Sequence, residues 1–217
     1  AVIDNDIARI PLPDPVRIRL ALEELGPSFI KLGQLMSTRA DLFPTEYIHE
    51  LTKLQDQVPP VPFDEIRRLV ESELGQPLEQ RFDRFDPTAL AAASVAQVHT
   101  AWLKTGEKVA VKVVRPGIEK RIRKDIQVMY YLAARFERSF ELGRVLGAVN
   151  LVKEFERTIF RELDMLIEAG NIERFTRSFE GVDEIYIPKV YWDHTVKSVL
   201  VMEFIQGIKM DRVDEIR

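Results

Sequence analysis

The sequence predicts an α+β protein, an antiparallel sheet combined with helices and preceded by a helical N-terminal region. Three observations carry this. Apolar residues recur at helical spacing over residues 15–74, the period shortens to that of strands over 82–114, and strand signals return over 185–204 after two further helical stretches.

The elements follow in order. The first fourteen residues, with several Asp and Pro, read as an extended or mobile lead-in. Ile18, Leu22 and Leu25 give the first helix its apolar face, and Gly26-Pro27 ends it. A second helix is expected over residues 28–39 and a third over 45–55, closed by Pro59, Pro60 and Pro62. Residues 63–74 form a fourth, with Ile66, Leu69 and Val70 inward and Gly75 as its stop. Strands are expected over 82–90, 95–103 and 108–114, the last two joined by the turn Thr105-Gly106-Glu107. Ile118, Ile122, Ile126, Met129, Ala133, Phe136 and Phe140 mark one long helix; Val152, Phe155, Ile159, Leu163 and Leu166 mark another. Two more strands are expected over 185–192 and 198–204. This divides the chain into a helical extension (1–80), a sheet-containing domain (81–206) and the start of a connection (207–217).

Composition sets outer bounds. Of 217 residues, 46% are hydrophobic and 30% charged, the balance of a globular protein with a core. A net charge of −4 gives no electrostatic case for nucleic acid as a partner. The chain has no cysteine, which excludes disulfides, zinc thiolates and a cysteine nucleophile. No apolar run approaches the ~20 residues of a membrane span.

One stretch bears on chemistry directly. Ala91-Ala92-Ala93-Ser94-Val95-Ala96-Gln97-Val98 is followed by Val109-Ala110-Val111-Lys112. The spacing is that of the phosphate loop and lysine strand of protein kinases, G-x-G-x-x-G-x-V and V-A-I-K, with Ala91, Ala93 and Ala96 at the glycine positions. Glycine reaches positive φ and lets phosphates approach the backbone; alanine largely forbids both. Lys112 sits in an apolar strand, where an ammonium needs an anion. Phosphate oxygens and a helical carboxylate would serve, and the plainer alternative is an edge-strand lysine reaching water.

Two further constellations stand beside it. In Lys31-Leu32-Gly33-Gln34 the lysine and glutamine share a helical face, and Gly33 permits a close approach. Alone, this tetrapeptide reads as an ordinary amphipathic helix. In Glu162-Leu163-Asp164 followed by Glu168, Asp164 and Glu168 share a face while Glu162 points elsewhere; a solvated charged face is the alternative.

Taken in order, these three constellations resemble the UbiB/AarF-type atypical kinase family, which carries a K-x-G-Q motif, an alanine-rich loop and an E-x-D motif. Leu42-Phe43-Pro44 and Leu54-Gln55-Asp56 are also similar to that family, and many members keep a glycine where this chain has Ala96. The resemblance implies a protein-kinase-like small lobe, with the helical extension packed over a nucleotide cleft. It implies ATP or ADP with Mg²⁺ as cofactor. Lys112 resembles the phosphate-contacting catalytic lysine and Glu168 its carboxylate partner. Ala91, Ala92, Ala93, Ser94, Val95, Ala96, Val98 and Ala110 would line the nucleotide. Met202 resembles the bulky residue before a kinase hinge, with the backbone of Glu203, Phe204 and Ile205 facing adenine. Lys31, Gly33 and Gln34 would form a regulatory motif in the cleft, meeting Glu162 and Asp164.

The same resemblance implies a link to ubiquinone biosynthesis, at the cytoplasmic face of bacterial membranes or in mitochondria and plastids. The activity it implies is ATP hydrolysis or small-molecule phosphorylation. None of the three histidines, His49, His99 and His194, is followed two positions on by Asp, and no Asp is followed two positions on by Gly. Kinases use such motifs to hold Mg²⁺ and orient the acceptor. The large lobe is therefore expected to be absent, with the metal ligands outside this chain and the fragment inactive alone. Two other functions compete. One is a small-molecule phosphotransferase of another family. The other is a lipid- or quinone-associated interaction module, with the helix over 47–54 presenting apolar residues to a membrane or partner. A missing large lobe would also favour self-association.

Overall fold

The computed structural model describes residues 14–54 and 58–207. The lead-in over 1–13, the Gln55-Asp56 part of one motif and the connection after Gly207 lie outside the described residues. Along the chain run α1 (Pro15–Leu25), α2 (Pro27–Ser37), α3 (Thr45–Leu51), α4 (Phe63–Leu74), α5 (Leu78–Arg81), β1 (Phe82–Ala92), β2 (Ala96–Leu103) and β3 (Lys108–Val114). Then come α6 (Ile118–Ser139), α7 (Glu141–Leu146), α8 (Ala148–Glu162), α9 (Met165–Ser178), a 3-10 turn (Trp192–His194) and β4 (Val199–Glu203). Contacts divide the chain into two compact units: Ala1–Pro59, Ala92–Val95 and Gly117–Leu163 in one, Pro60–Ala91, Ala96–Pro116 and Asp164–Arg217 in the other. By contacts, then, α4 and α5 group with the sheet, and α6 to α8 group with the N-terminal helices.

In the first unit, α1 starts where the Asp14 carboxylate accepts from the Val16 N–H (2.8 Å), with Pro15 in the first helical turn. Leu22, Phe29 and Leu32 of α1 and α2 are buried, as are Ile122, Ile126 and Met129 of α6 and Val152, Phe155 and Ile159 of α8. Polar ties hold the unit as well. The buried Ser28 hydroxyl donates to Asp125 (2.5 Å), and Arg39 bonds Asp41 (2.8 Å) and Glu154 (2.5 Å). The Tyr130 hydroxyl donates to Glu156 (2.7 Å), and burial, reinforced by that bond, pushes its pKa up to about 12.

The structure departs from the sequence reading at three places. The long helix expected through Leu166 ends at Glu162, because Asp164 caps a new helix instead of continuing the old one, and Leu166 is left exposed. Tyr47 and Leu51, which the interaction-module alternative would present to a membrane or partner, are 5% and 1% exposed and belong to the core, as does Leu54. The sequence reading assigns no element to 141–146, where the short α7 forms. A Cβ at Gly143 would lie 2.6 Å from the Phe136 carbonyl oxygen, so the residue is glycine to let α7 turn back against α6.

In the second unit, the strands lie in the order β1-β2-β3-β4, with β2–β3 and β3–β4 antiparallel. One face of the sheet carries Ala101, Leu103, Val109, Val111, Val113, Val199 and Val201 into the core, where Ile66 and Val70 of α4 and Phe82 complete it. Pro87 is tolerated because β1 is an edge strand. The strand expected over 185–192 does not form as a strand. Tyr191 N–H donates to Val201 O (2.9 Å) and Glu203 N–H to Lys189 O (2.8 Å), but Pro188 has no N–H and Ile185 and Tyr186 are exposed. Only the isolated bridge Val190–Met202 results.

His99 is fully buried beside Gln97 on β2. Its Nδ1 faces the Asp86 carbonyl (2.9 Å), which can only accept, so Nδ1 carries the proton and Nε2 accepts from the Gln97 amide (2.8 Å). The Gln97 amide oxygen in turn accepts from the Val61 N–H (2.8 Å), fastening the segment before α4 to the sheet. Burial holds His99 below its ordinary pKa, only partly offset by the Asp86 bond. The unfolded chain therefore binds a proton that the folded state refuses, so stability is complete above about pH 6.5 and falls as the pH drops below it. Unfolding midpoints measured from pH 8 to 5 should decline below about 6.5, and His99→Gln should flatten that decline while lowering the midpoint at pH 8.

Candidate functional site

The face of the sheet opposite the core is built by alternation. Across β2, β3 and β4, Val98 pairs with Lys112 and Lys112 with Leu200; Thr100 pairs with Ala110 and Ala110 with Met202. Cross-strand partners share a face. Val98, Ala110, Lys112 and Met202, four residues expected at a nucleotide, thus lie side by side. Trp102 and Lys108 form the next rung, and the Lys108 ammonium sits 3.7 Å from the centre of the Phe204 ring.

Lys112 extends from this face to α9. Its Nζ donates to both carboxylate oxygens of Glu168, at 2.9 and 2.7 Å, with the two side chains 26% and 35% exposed. The placement of Glu168 follows from how α9 begins. Asp164 Oδ1 accepts from the Leu166 N–H (3.0 Å), and Met165 N–H donates to the Lys197 carbonyl (2.9 Å) just ahead of β4. Met165 and Ala169 are buried, at 1% and 0% exposure, and orient the first turn. A carboxylate in the first turn is also favoured by the helix dipole. Asp164 is therefore a cap and does not share a helical face with Glu168 as expected.

At the hinge-like end, the Glu203 N–H is taken by Lys189 O and the Phe204 N–H by Lys108 O (3.3 Å). The Glu203 carboxylate accepts from the Tyr186 hydroxyl (2.5 Å) and the Lys189 N–H (3.2 Å). Ile205 is exposed. In the alanine stretch, Ala91 and Ala92 close β1, Ala93 makes a single β-bridge, Ser94 and Val95 form the bend, and Ala96 opens β2. Ser94, Val95 and Ala96 are buried. Among the described residues no non-glycine has positive φ, so the bend lacks the left-handed residue of an anion-binding backbone nest.

The K-x-G-Q residues lie on α2 in the first unit. Lys31 Nζ pairs with Glu162 Oε1 at 2.8 Å, the lysine 19% exposed. Gln34 was expected to meet Glu162 or Asp164 as well. Its amide instead donates to the Leu54 carbonyl (3.1 Å), a backbone acceptor past the end of α3. Gly33 is buried against Leu22, Leu51 and Leu54. The sequence reading missed the Met165–Lys197 tie, the Ser28–Asp125 bond and the Lys108–Phe204 contact. The first is main chain and leaves no side-chain signal, whereas the other two join residues distant in sequence.

An antiparallel sheet with a lysine on an inner strand, paired to a carboxylate in the first turn of a helix, is the small lobe of a kinase-like fold. The model of the ABC1 atypical kinase-like domain matches residues 53–217, and the chain belongs to that family. It is 50% identical over 192 residues to the probable protein kinase UbiB of Marinobacter nauticus, covering 88% of this chain and 35% of that protein. It is also 50% identical over 196 residues to the probable protein kinase UbiB of Azotobacter vinelandii, covering 90% and 36%. The chain thus spans about a third of the length of these curated relatives. Among solved structures it resembles Rv3197 of Mycobacterium tuberculosis in complex with erythromycin, with a TM-score of 0.58 and 29% identity, covering 90% of this chain and 49% of that one.

Proposed function

We propose that this chain is the nucleotide-binding small lobe of an atypical kinase or ATPase acting in ubiquinone biosynthesis. The Lys112–Glu168 ion pair on the sheet face beside Val98, Ala110 and Met202 supports this reading most directly. Glu168 holds the ammonium out from an apolar strand, ready to donate to the α- and β-phosphate oxygens of ATP or ADP. Val98, Ala110 and Met202 offer the base an apolar surface. With the Glu203 and Phe204 N–H groups already engaged, the Ile205 N–H is the donor we assign to adenine. Among the described residues no group of three His, Cys, Asp or Glu could hold a metal ion. Because the sequence lacks the kinase motifs that hold Mg²⁺ and orient the acceptor, this reading puts the Mg²⁺ ligands in the remainder of the longer relatives and expects the present chain to be inactive by itself. Among the described residues no helix is long and apolar enough to cross a membrane.

Thermal-shift titrations with MgADP and MgATP test the reading, run beside a phosphate-release assay. The 217-residue chain should show a small nucleotide-dependent rise and no turnover. Steady turnover that is lost in Lys112→Ala would overturn the half-site assignment, and the absence of a shift in the full-length protein would overturn nucleotide binding. In the full-length protein, Ala93→Gly should lower the nucleotide-free midpoint slightly, since a loop glycine adds roughly 1 kcal/mol of unfolded-state entropy. It should also enlarge the nucleotide-induced rise, because the residue leading into the bend gains access to positive φ. Equal nucleotide responses would remove the alanine stretch from the phosphate site.

A further inference from the structure

We propose that the first unit contains a second binding site, for a small neutral apolar molecule of about benzene size. The site is a cavity of about 140 Å³ enclosed by α1, α2, the turn before α3, α3 itself, α6 and α7. Its floor is made by Tyr47, Leu51 and Leu142, which are 5%, 1% and 5% exposed. The other lining residues, Met36, Phe43 and Phe136 among them, are half-buried.

The chemistry of the walls selects the occupant. All ten lining residues are aliphatic or aromatic and none carries a charge at neutral pH, so an ion entering the cavity would shed its hydration with nothing to replace it. Water needs two or more polar partners to be held, and apolar cavities of roughly 150 Å³ lined by Leu, Ile and Phe stay dry and accept benzene. Native interiors are packed closely enough that a void of this size stands out as space for something. The half-buried lining residues give the occupant a way in. The site is independent of the nucleotide reading, because none of its lining residues belongs to the sheet or to α9. It does bear on α2: Met36 is two residues beyond Gln34, so an occupant would brace the helix that carries Lys31.

Toluene is the probe. Added to the 217-residue chain at about ten times its dissociation constant, it should raise the unfolding midpoint by about 3–5 °C. Leu142→Phe, which places a ring on the cavity floor, should abolish that rise. If Leu142→Phe does not unfold cooperatively, Leu146→Phe fills the same space from the α7 side and takes its place. Biphenyl, about twice the size of the benzene-sized occupant the space accepts, should give no rise in the native chain. The proposal is overturned if toluene leaves the native midpoint unchanged, or if the filled variant responds as the native chain does. MgADP responses in the same samples report separately on the sheet.

Discussion

Lys112→Met is expected to abolish the nucleotide-induced thermal shift in the full-length protein while lowering the nucleotide-free midpoint by only a few degrees. The two effects separate because the ion pair is partly exposed. With side chains 26% and 35% accessible, the Lys112–Glu168 pair is screened by water, and losing it costs on the order of 1 kcal/mol. For the 217-residue chain that is about 2–4 °C, and for a longer protein less. In the proposed site the ammonium's interaction with phosphate is different in kind, since it is charge-assisted on both sides. Glu168→Gln should fall between: the amide still positions the lysine through its oxygen but no longer balances its charge. The measurement is a MgADP titration of native protein, both single variants and the double variant. A full nucleotide shift in Lys112→Met would remove the lysine from the site. Additive losses in the double variant would mean that the two residues do not act together.

Much of this pair was legible in the sequence, because its signals are local. The β3 strand shows an apolar run interrupted by one lysine, and the first turn of α9 shows a carboxylate next to a small buried residue, Ala169. The break that starts α9 was harder to see. Val152, Phe155, Ile159, Leu163 and Leu166 continue a single helical period, and nothing in that period says that Asp164 will cap a new helix and leave Leu166 in solvent. Capping competes with continuation at a cost of about 1 kcal/mol either way, so tertiary contacts decide. Here the deciding contact is the Met165 N–H on the Lys197 carbonyl, a main-chain bond with no side-chain signature.

The extended segment before β4 shows the same limit from the other direction. Ile185, Tyr186, Ile187, Val190 and Tyr191 have strand composition, and two of the segment's residues do bond β4 through main chain. The sequence could not reveal how far the ladder would extend, because that depends on which N–H groups face β4, and Pro188 offers none. The grouping of α6 to α8 with the N-terminal helices was equally hidden. It rests on contacts such as Arg39–Glu154 and Ser28–Asp125, whose partners lie about a hundred residues apart.

Gly33→Val should be among the most destabilising single substitutions in the first unit, through crowding rather than lost contacts. A Cβ at position 33 would overlap the Leu54 and Leu22 δ-methyl carbons and touch Leu51 Cδ2 at 3.5 Å. These are ends of flexible side chains, but all three leucines are at least nine-tenths buried and have little room to retreat. Glycine in a helix costs roughly 0.5–1 kcal/mol relative to alanine, so alanine would be favoured here if space were free. Overpacking typically costs 1–3 kcal/mol, which outweighs that gain, and valine adds a branched side chain to the same overlap. The expected loss for Gly33→Val is about 3 kcal/mol, or roughly 6–12 °C in midpoint, with Gly33→Ala milder. The crowding account makes a sharper claim than destabilisation alone. Leu54→Ala by itself should cost about 2–5 kcal/mol by opening a cavity. Combined with Gly33→Ala, it should cost clearly less than the sum of the two, because the new methyl group fills the space the leucine leaves. The Gln34 bond to the Leu54 main-chain carbonyl survives in the double variant, so the α2–α3 connection is not what the cycle reports. Strict additivity across that cycle would show that Gly33 is glycine for a reason other than the approach of Leu54.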